Sequence, residues 1–230
     1  MKLQAALDFD YRSTNRGQAE ELTIFWTELA QALAGEARES LDIIEVGTPF
    51  VMEYGLAPAR KLKQAFPEKL ILADLKIADA GYYEAAAAFK SGADIATVLA
   101  VTDDATIRNA MTAAKEYGRS IMVDMLAVPD LPTRLMQVDA LGVDYICLHT
   151  SKDLQRLDQD MSKSFEVLRS YVKNAKLAIA GGINRTTIEK FAAIRPDVII
   201  VGEGITGAED YGEAAAFFKA AMDAAERGER

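Results

Sequence analysis

Leu70-Ile71-Leu72-Ala73-Asp74-Leu75-Lys76-Ile77-Ala78-Asp79 begins as a buried strand and ends in charges, and that combination decides the fold. The run Leu70–Leu75 is near-continuously apolar rather than alternating, the pattern of a parallel strand covered on both faces. Working outward, similar runs recur at Leu3–Leu7, Asp42–Val46, Asp94–Leu99, Ser120–Met125, Val143–Leu148, Lys176–Ala180 and Asp197–Val201. Between them lie Ala-, Glu- and Lys-rich stretches such as Tyr82–Lys90, Ala105–Tyr117 and Glu209–Ala225, which the spacing predicts to be amphipathic helices. Thr102 or Asp103 is placed to cap one of them. Units such as Gly92-Ala93-Asp94, Gly142-Val143-Asp144 and Pro196-Asp197 precede the runs, a Gly ending a helix and a polar residue opening a strand. Strand–helix units repeated eight times without a linker predict an α/β fold, one (β/α)8 TIM barrel over residues 1–230. The alternative is a doubly wound open sheet, which usually carries a glycine-rich dinucleotide turn after its first strand. Here Asp8-Phe9-Asp10-Tyr11-Arg12 stands in that place, so the barrel is preferred. The longest connection follows the first strand, where Gln18–Ala34 reads as a helix holding the only tryptophan, Trp26, with Gly35–Glu39 as its solvated end.

A chain of 230 residues that is 50% hydrophobic suits one domain with a large core. A formal net charge of −9 argues against nucleic acid and anionic membrane surfaces as partners, since both are bound through basic patches. An anionic ligand would then need a local site of backbone NH groups, a lysine or a metal. One cysteine, Cys147, excludes an internal disulfide and suits a reducing compartment. The N-terminal Met1–Asp8 is too short and too soon acidic for a signal peptide, and no apolar stretch approaches a membrane span, so a cytoplasmic protein is expected.

Barrel enzymes build their sites where the strands end. In this chain those ends carry Asp8, Glu45, Asp74, Lys76, Asp79, Thr102, Asp124, His149, then Gly181-Gly182 and Gly202-Glu203-Gly204. Charges at buried strand ends are costly unless paired, metal-bound or facing a cleft. Alternation places Asp74 and Lys76 on one face with Leu75 outward, and a cationic lysine beside carboxylates can stabilise an enolate oxygen or deliver a proton. A structural salt bridge is the plainer reading of Asp74 and Lys76 taken alone. Glu45 and Asp74 form an oxygen donor set suited to Mg2+, and with one His and one Cys there is no zinc cluster. Pairing of Glu45 with Lys76, without metal, is the alternative. His149 is the only histidine; it is a structural residue or an acid/base, with Asp153 either orienting it or capping the next helix. The glycines after the last two strands stand where barrels commonly bind phosphate through backbone NH groups, although glycine pairs also make ordinary turns.

These residues resemble the orotidine monophosphate decarboxylase suprafamily, in particular the hexulose-6-phosphate synthase and 3-keto-L-gulonate-6-phosphate decarboxylase family. The likeness runs through Leu3–Asp8, Ile44–Pro49, Leu72–Gly81, Val101–Ile107, Val123–Met125, Leu148–Thr150, Ala180–Ile183 and Val201–Thr206. The Asp-x-Lys-x-x-Asp cluster of Asp74, Lys76 and Asp79 marks the suprafamily, and Asp124-Met125 with His149-Thr150 points toward the synthase. The decarboxylase typically has a Glu near the first of these and an Arg-containing stretch after its His. The resemblance implies a reversible, Mg2+-dependent aldol addition of formaldehyde to ribulose 5-phosphate, with decarboxylation of 3-keto-L-gulonate 6-phosphate as the alternative. It implies Glu45 and Asp74 as metal ligands, His149 moving the C1 proton, and Lys76 steadying the enediolate. Asp8 and Asp124 would hold substrate hydroxyls, and Ala180, Gly181, Gly182, Gly202 and Glu203 would surround the phosphate. It further implies a homodimer in which Asp79 acts in the partner's site. A regulatory barrel that binds sugar phosphate without catalysis is the remaining alternative, opposed by the intact acid/base set; ribulose-phosphate epimerase would need a His-rich metal site. Two departures stand out: the long first connection, and Glu203, where relatives carry Gly, Ser or Arg. Pointing inward, Glu203 would repel a phosphate by up to roughly several kcal/mol; pointing outward or paired with a cation, it would not.

Overall fold

The computed structural model describes residues 1–8, 19–155 and 162–228. Among these, the strands are β1 (Lys2–Leu7), β2 (Ile43–Val46), β3 (Leu70–Ile77), β4 (Ile95–Leu99), β5 (Ser120–Asp124), β6 (Tyr145–His149), β7 (Lys176–Ala180) and β8 (Val198–Val201). Each pairs in parallel with the next, and β8 pairs back onto β1, closing the barrel. The helices are α1 (Ala19–Glu36), α2 (Thr48–Tyr54), α3 (Ala57–Ala65), α4 (Gly81–Lys90), α5 (Asp104–Tyr117), α6 (Leu131–Ala140), α7 (Lys152–Gln155), α8 (Ser162–Arg169), α9 (Ile188–Ala193), α10 (Glu203–Thr206) and α11 (Tyr211–Arg227). The fold is the expected (β/α)8 barrel. Trp26 falls in α1, while the stretch 9–12, read in place of a dinucleotide turn, lies outside the described residues.

Continuous apolar strands make sense because both faces are covered. Ala6, Ile43, Leu72, Ile95, Met122, Cys147, Ala178 and Ile200 fill the barrel interior. The opposite faces, with Leu3, Ile44, Ile71, Ile121, Ile146 and Ile199, pack under the helices, where Phe50, Leu62, Phe89, Phe165 and Phe218 meet them. No helix among the described residues is long and apolar enough to cross a membrane.

The recurring aspartates have a role that spacing alone did not reveal. Asp42, Asp94, Asp144 and Asp197 stand one residue ahead of the strand they were expected to open. Each carboxylate accepts a backbone N–H of the preceding strand: Leu3 N at 2.9 Å, Ile71 N at 2.9 Å, Ile121 N at 2.9 Å and Leu177 N at 2.8 Å. These bonds tie neighbouring strands together at the end of the barrel away from the polar rim. Lys63 and Arg119 both bind Asp94, so this buried carboxylate is paired.

Helix ends follow capping chemistry. Asp130 accepts the Thr133 N–H at 3.3 Å to start α6, Asp210 accepts the Glu213 N–H at 2.8 Å to start α11, and left-handed Gly118 (φ 62) stops α5. Asp103 occupies the N-cap position of α5 but makes no side-chain capping bond there. Thr102 instead donates its hydroxyl to the Ala78 carbonyl at 2.6 Å, fastening the loop after β3 to the loop after β4.

Gly81 lets α4 and α5 meet. A β-carbon at this position would lie 2.1 Å from the Thr106 carbonyl oxygen, a backbone atom that cannot step aside. Gly81→Ala is expected to lower the unfolding free energy by about 1–3 kcal/mol in denaturant titration, the cost of overpacking; a change within about 0.5 kcal/mol, as at an ordinary surface site, would mean the helices are not this close.

Candidate active site

The acid–lysine segment lies where β3 leaves the regular ladder. Ala73 pairs with Ala96, but the next partners are Ile77 and Val98, so Asp74, Leu75 and Lys76 oppose the single residue Thr97. Lys76 adopts a left-handed backbone (φ 48), a strained conformation for a non-glycine residue that tends to mark functional sites. Simple alternation predicted that Asp74 and Lys76 share a face. They do meet, but through a bulge. The Lys76 ammonium contacts Asp74 Oδ2 directly and donates to Thr48 Oγ1 at 2.9 Å. Thr48 donates to Asp74 Oδ2 at 2.7 Å, and Thr97 donates to Asp74 Oδ1 at 2.7 Å.

Burial opposes charge on both partners, and the surroundings outweigh it. Asp74 is held below the usual carboxylate range despite its burial, because Lys76, Thr48 and Thr97 favour the anion. Burial pushes Lys76 down, yet Asp74, Asp124 and Glu45 lift it above the ordinary lysine range. A charged ammonium therefore faces the mouth of the barrel.

His149 ends β6, and its orienting partner is Asp124 at the end of β5, with Nδ1 2.9 Å from Asp124 Oδ2. Asp153 lies in the first turn of α7, exposed, so the sequence-adjacent carboxylate is not the one that positions the imidazole. An ionised carboxylate can only accept, which puts the proton on Nδ1 and leaves Nε2 as the basic nitrogen of the neutral ring. Asp124 Oδ1 is held by the Leu126 N–H at 2.9 Å. Its Oδ2 also lies 3.9 Å from Lys76 Nζ, which joins the two pairs into one network.

Glu45 is buried beside this network and makes no ion pair with Lys76 within 4 Å; Gln4 Nε2 donates to it instead. Burial pushes its carboxyl well above the usual range, with Asp74 and Asp8 adding to the rise. Asp8, just past β1, is raised by desolvation and then by Asp74. Gly47 leaves space for it: a β-carbon there would sit 1.8 Å from Asp8 Oδ1. Among the described residues, no group of three or more His, Cys, Asp or Glu side chains is arranged to hold a metal. Glu45 and Asp74, close enough to interact, are the oxygen donors that the site offers. That suits a hard cation which completes its shell with water and substrate oxygens, as magnesium does. Cys147 is buried beneath the network, and burial plus the carboxylates hold its thiol well above the usual range, so it remains an unreactive thiol.

Across the barrel, Ala180 ends β7 and is followed by left-handed Gly181 (φ 94) and Gly182 (φ 72). Thr187 donates to the Gly182 carbonyl at 2.9 Å, and Asn184 Oδ1 accepts the N–H groups of Thr186 at 2.9 Å and Thr187 at 3.2 Å, which stiffens this loop. Gly202 follows β8 and precedes α10. Glu203 is exposed and lines a cleft of about 440 Å³ with Asn184, Arg185 and Gly207, between the loops that follow β7 and β8. Asp79 is exposed too, its carboxylate accepting the N–H of Ala80 at 2.7 Å, apart from the network of its own barrel. A larger cleft of about 610 Å³, lined by Lys2, Tyr145, Lys176 and Arg195, lies at the opposite end of the barrel and does not contain the network.

Sequence reading gave no role to Thr48, Thr97 or Gln4. The signal was there: Gln4 and Thr97 are polar inside otherwise apolar strands, and Thr48 opens α2 just past the end of β2.

An ammonium, an imidazole and clustered carboxylates gathered on the carboxyl rim of a closed barrel are the equipment of a barrel enzyme. The chain belongs to the orotidine 5'-phosphate decarboxylase / HUMPS family, whose model matches residues 1–218. It is 44% identical over 219 residues to a 3-hexulose-6-phosphate synthase of Bacillus subtilis, covering 95% of this chain and 97% of that protein. Among solved structures it resembles 3-hexulose-6-phosphate synthase from Salmonella typhimurium, with a TM-score of 0.86 and 36% identity over 96% of this chain and 98% of the other. A 3-keto-L-gulonate-6-phosphate decarboxylase from Vibrio cholerae aligns with a TM-score of 0.78 and 26% identity over 96% and 97%.

Proposed function

We propose that this chain is a 3-hexulose-6-phosphate synthase, joining formaldehyde to D-ribulose 5-phosphate reversibly through an enediolate. One observation carries the reading: base and cation converge, since the His149–Asp124 pair and the Lys76–Asp74 pair meet where Asp124 Oδ2 lies 3.9 Å from Lys76 Nζ. The 44% identity to a named synthase supports the substrate assignment.

In this reading Glu45 and Asp74 hold magnesium, which supplies Lewis-acid polarisation of the sugar's carbonyl and hydroxyl oxygens. His149 Nε2 takes a proton from C1, and the charge that develops on the C2 oxygen is stabilised by the Lys76 ammonium. C1 of the enediolate then attacks formaldehyde, forming the new carbon–carbon bond. The proton returns from His149 to the new alkoxide, so the ring ends neutral and ready for the next turnover. Asp8 holds substrate hydroxyls, and the backbone at Gly181, Gly182, Gly202 and Glu203 holds the phosphate. In this reading the exposed Glu203 carboxylate turns to solvent rather than to the phosphate.

Purified protein with Mg2+ is expected to consume formaldehyde only when ribulose 5-phosphate is present, and EDTA should abolish the consumption. No consumption removes the synthase reading; full activity in EDTA removes the metal. The second reading, 3-keto-L-gulonate-6-phosphate decarboxylase, has the similarity to the Vibrio cholerae enzyme in its favour. A parallel assay of carbon dioxide release from 3-keto-L-gulonate 6-phosphate separates the two.

The reading extends to a homodimer with shared sites. Asp79 stands apart from its own network, and apolar side chains at the same end are exposed, Met52 by 81% and Tyr83 by 78%. Mixing inactive Lys76→Ala with inactive Asp79→Ala protein is expected to restore activity, since mixed dimers hold one site with both groups. Absence of any recovery after subunit exchange would place Asp79 outside the partner's site.

A further inference from the structure

We infer that Thr97 is a positioning residue whose hydroxyl sets the Asp74–Lys76 bulge in its working shape. The argument starts from the ladder. β3 spends three residues, Asp74 to Lys76, opposite one residue of β4, so the Lys76 N–H has lost its place in the regular strand pairing. A buried N–H without an acceptor is costly. The Thr97 hydroxyl oxygen accepts it at 2.9 Å, standing in for the missing ladder carbonyl. The same hydroxyl donates its proton to Asp74 Oδ1 at 2.7 Å. One buried side chain thus grips the backbone of the lysine and the carboxylate of the aspartate together.

Chemistry restricts what can stand here. The group must accept and donate at once, which only a hydroxyl of this length does within a β-branched strand position. Valine matches the volume and suits a strand, but it leaves the Lys76 N–H and Asp74 Oδ1 without partners. The left-handed turn at Lys76 (φ 48) is then unsupported, and the ammonium shifts from its place between Asp74, Thr48 and Asp124. Serine keeps both bonds. Because the phosphate loops follow β7 and β8, on the other side of the barrel, substrate capture should be spared while turnover suffers.

This inference rests on the proposed synthase reading for its kinetic test, and has a second readout that does not. With formaldehyde and ribulose 5-phosphate, Thr97→Val is expected to lower kcat by about 10²-fold, the scale of a small misplacement of a catalytic group. KM for ribulose 5-phosphate should stay within about threefold, and Thr97→Ser should recover most of kcat. A Thr97→Val kcat near wild type, or a Thr97→Ser as poor as Thr97→Val, would overturn the role. Independently of substrate, hydrogen exchange by NMR should show the Lys76 amide protected in the wild type and in Thr97→Ser. In Thr97→Val it should exchange at least about tenfold faster while amides of β7 and β8 are unchanged. Unaltered protection at Lys76 would overturn the inference even if the enzyme proved to use another substrate. Loss of formaldehyde consumption in the wild type, with the exchange pattern as expected, would instead remove the synthase reading alone.

Discussion

Lys76→Ala is expected to reduce turnover by about 10³-fold, the upper range for removing a group aimed at developing negative charge. Two features make the loss large. The ammonium is the charge nearest both Asp74 and Asp124, in contact with the first and 3.9 Å from the second, so no neighbour takes its place. Its removal also leaves Asp74, Asp124 and Glu45 facing one another at the mouth of the barrel, where an enediolate would add further negative charge. The variant should be less stable as well, since breaking a largely buried ion pair costs up to about 3–5 kcal/mol. Kinetics and denaturant unfolding are therefore measured on the same preparation. Turnover within tenfold of the wild type in folded protein would reduce Lys76 to a structural partner of Asp74.

The second large effect falls on His149. His149→Ala should cost about 10²–10⁴-fold in kcat, the usual contribution of a positioned acid/base. A loss below tenfold would make it a structural residue. Asp124→Asn tests how the imidazole is held. If Asp124 acts chiefly by keeping the proton on Nδ1, the His149→Ala/Asp124→Asn double variant should be little worse than His149→Ala alone, because both changes remove one function. If Asp124 chiefly binds substrate hydroxyls, the two losses should multiply and KM should rise. The 2.9 Å bond to Nδ1 favours the first outcome.

Much of this site could be read in advance because parallel strands all finish at the same end of the barrel. Once the apolar runs are counted, Glu45, Asp74, Asp124 and His149 must share a rim, and the structure places them there. Partners were harder to assign. Asp153 is four residues from His149 in sequence, yet Asp124, twenty-five residues away, holds the ring. Glu45 was a candidate partner for Lys76, yet Gln4 binds Glu45 and Asp74 binds Lys76. Side chains on adjacent strands meet according to register, and register is a property of the assembled sheet. The strand-opening aspartates were noticed as a repeat, but their task of bonding the neighbouring strand's N–H was invisible until the strands were side by side.

The amino-acid sequence by itself determined the barrel, its strand limits to within a residue or two, and the set of polar groups available at the rim, because burial on both faces writes an unbroken apolar run for each strand. Only the tertiary structure decided how those groups engage. It settled the left-handed backbone at Lys76, the Thr97 hydroxyl that bridges the bulge and the opening over Gly47 that admits Asp8. Each of these depends on atoms brought together from separate strands, and distances between strands are set by packing rather than by local propensity.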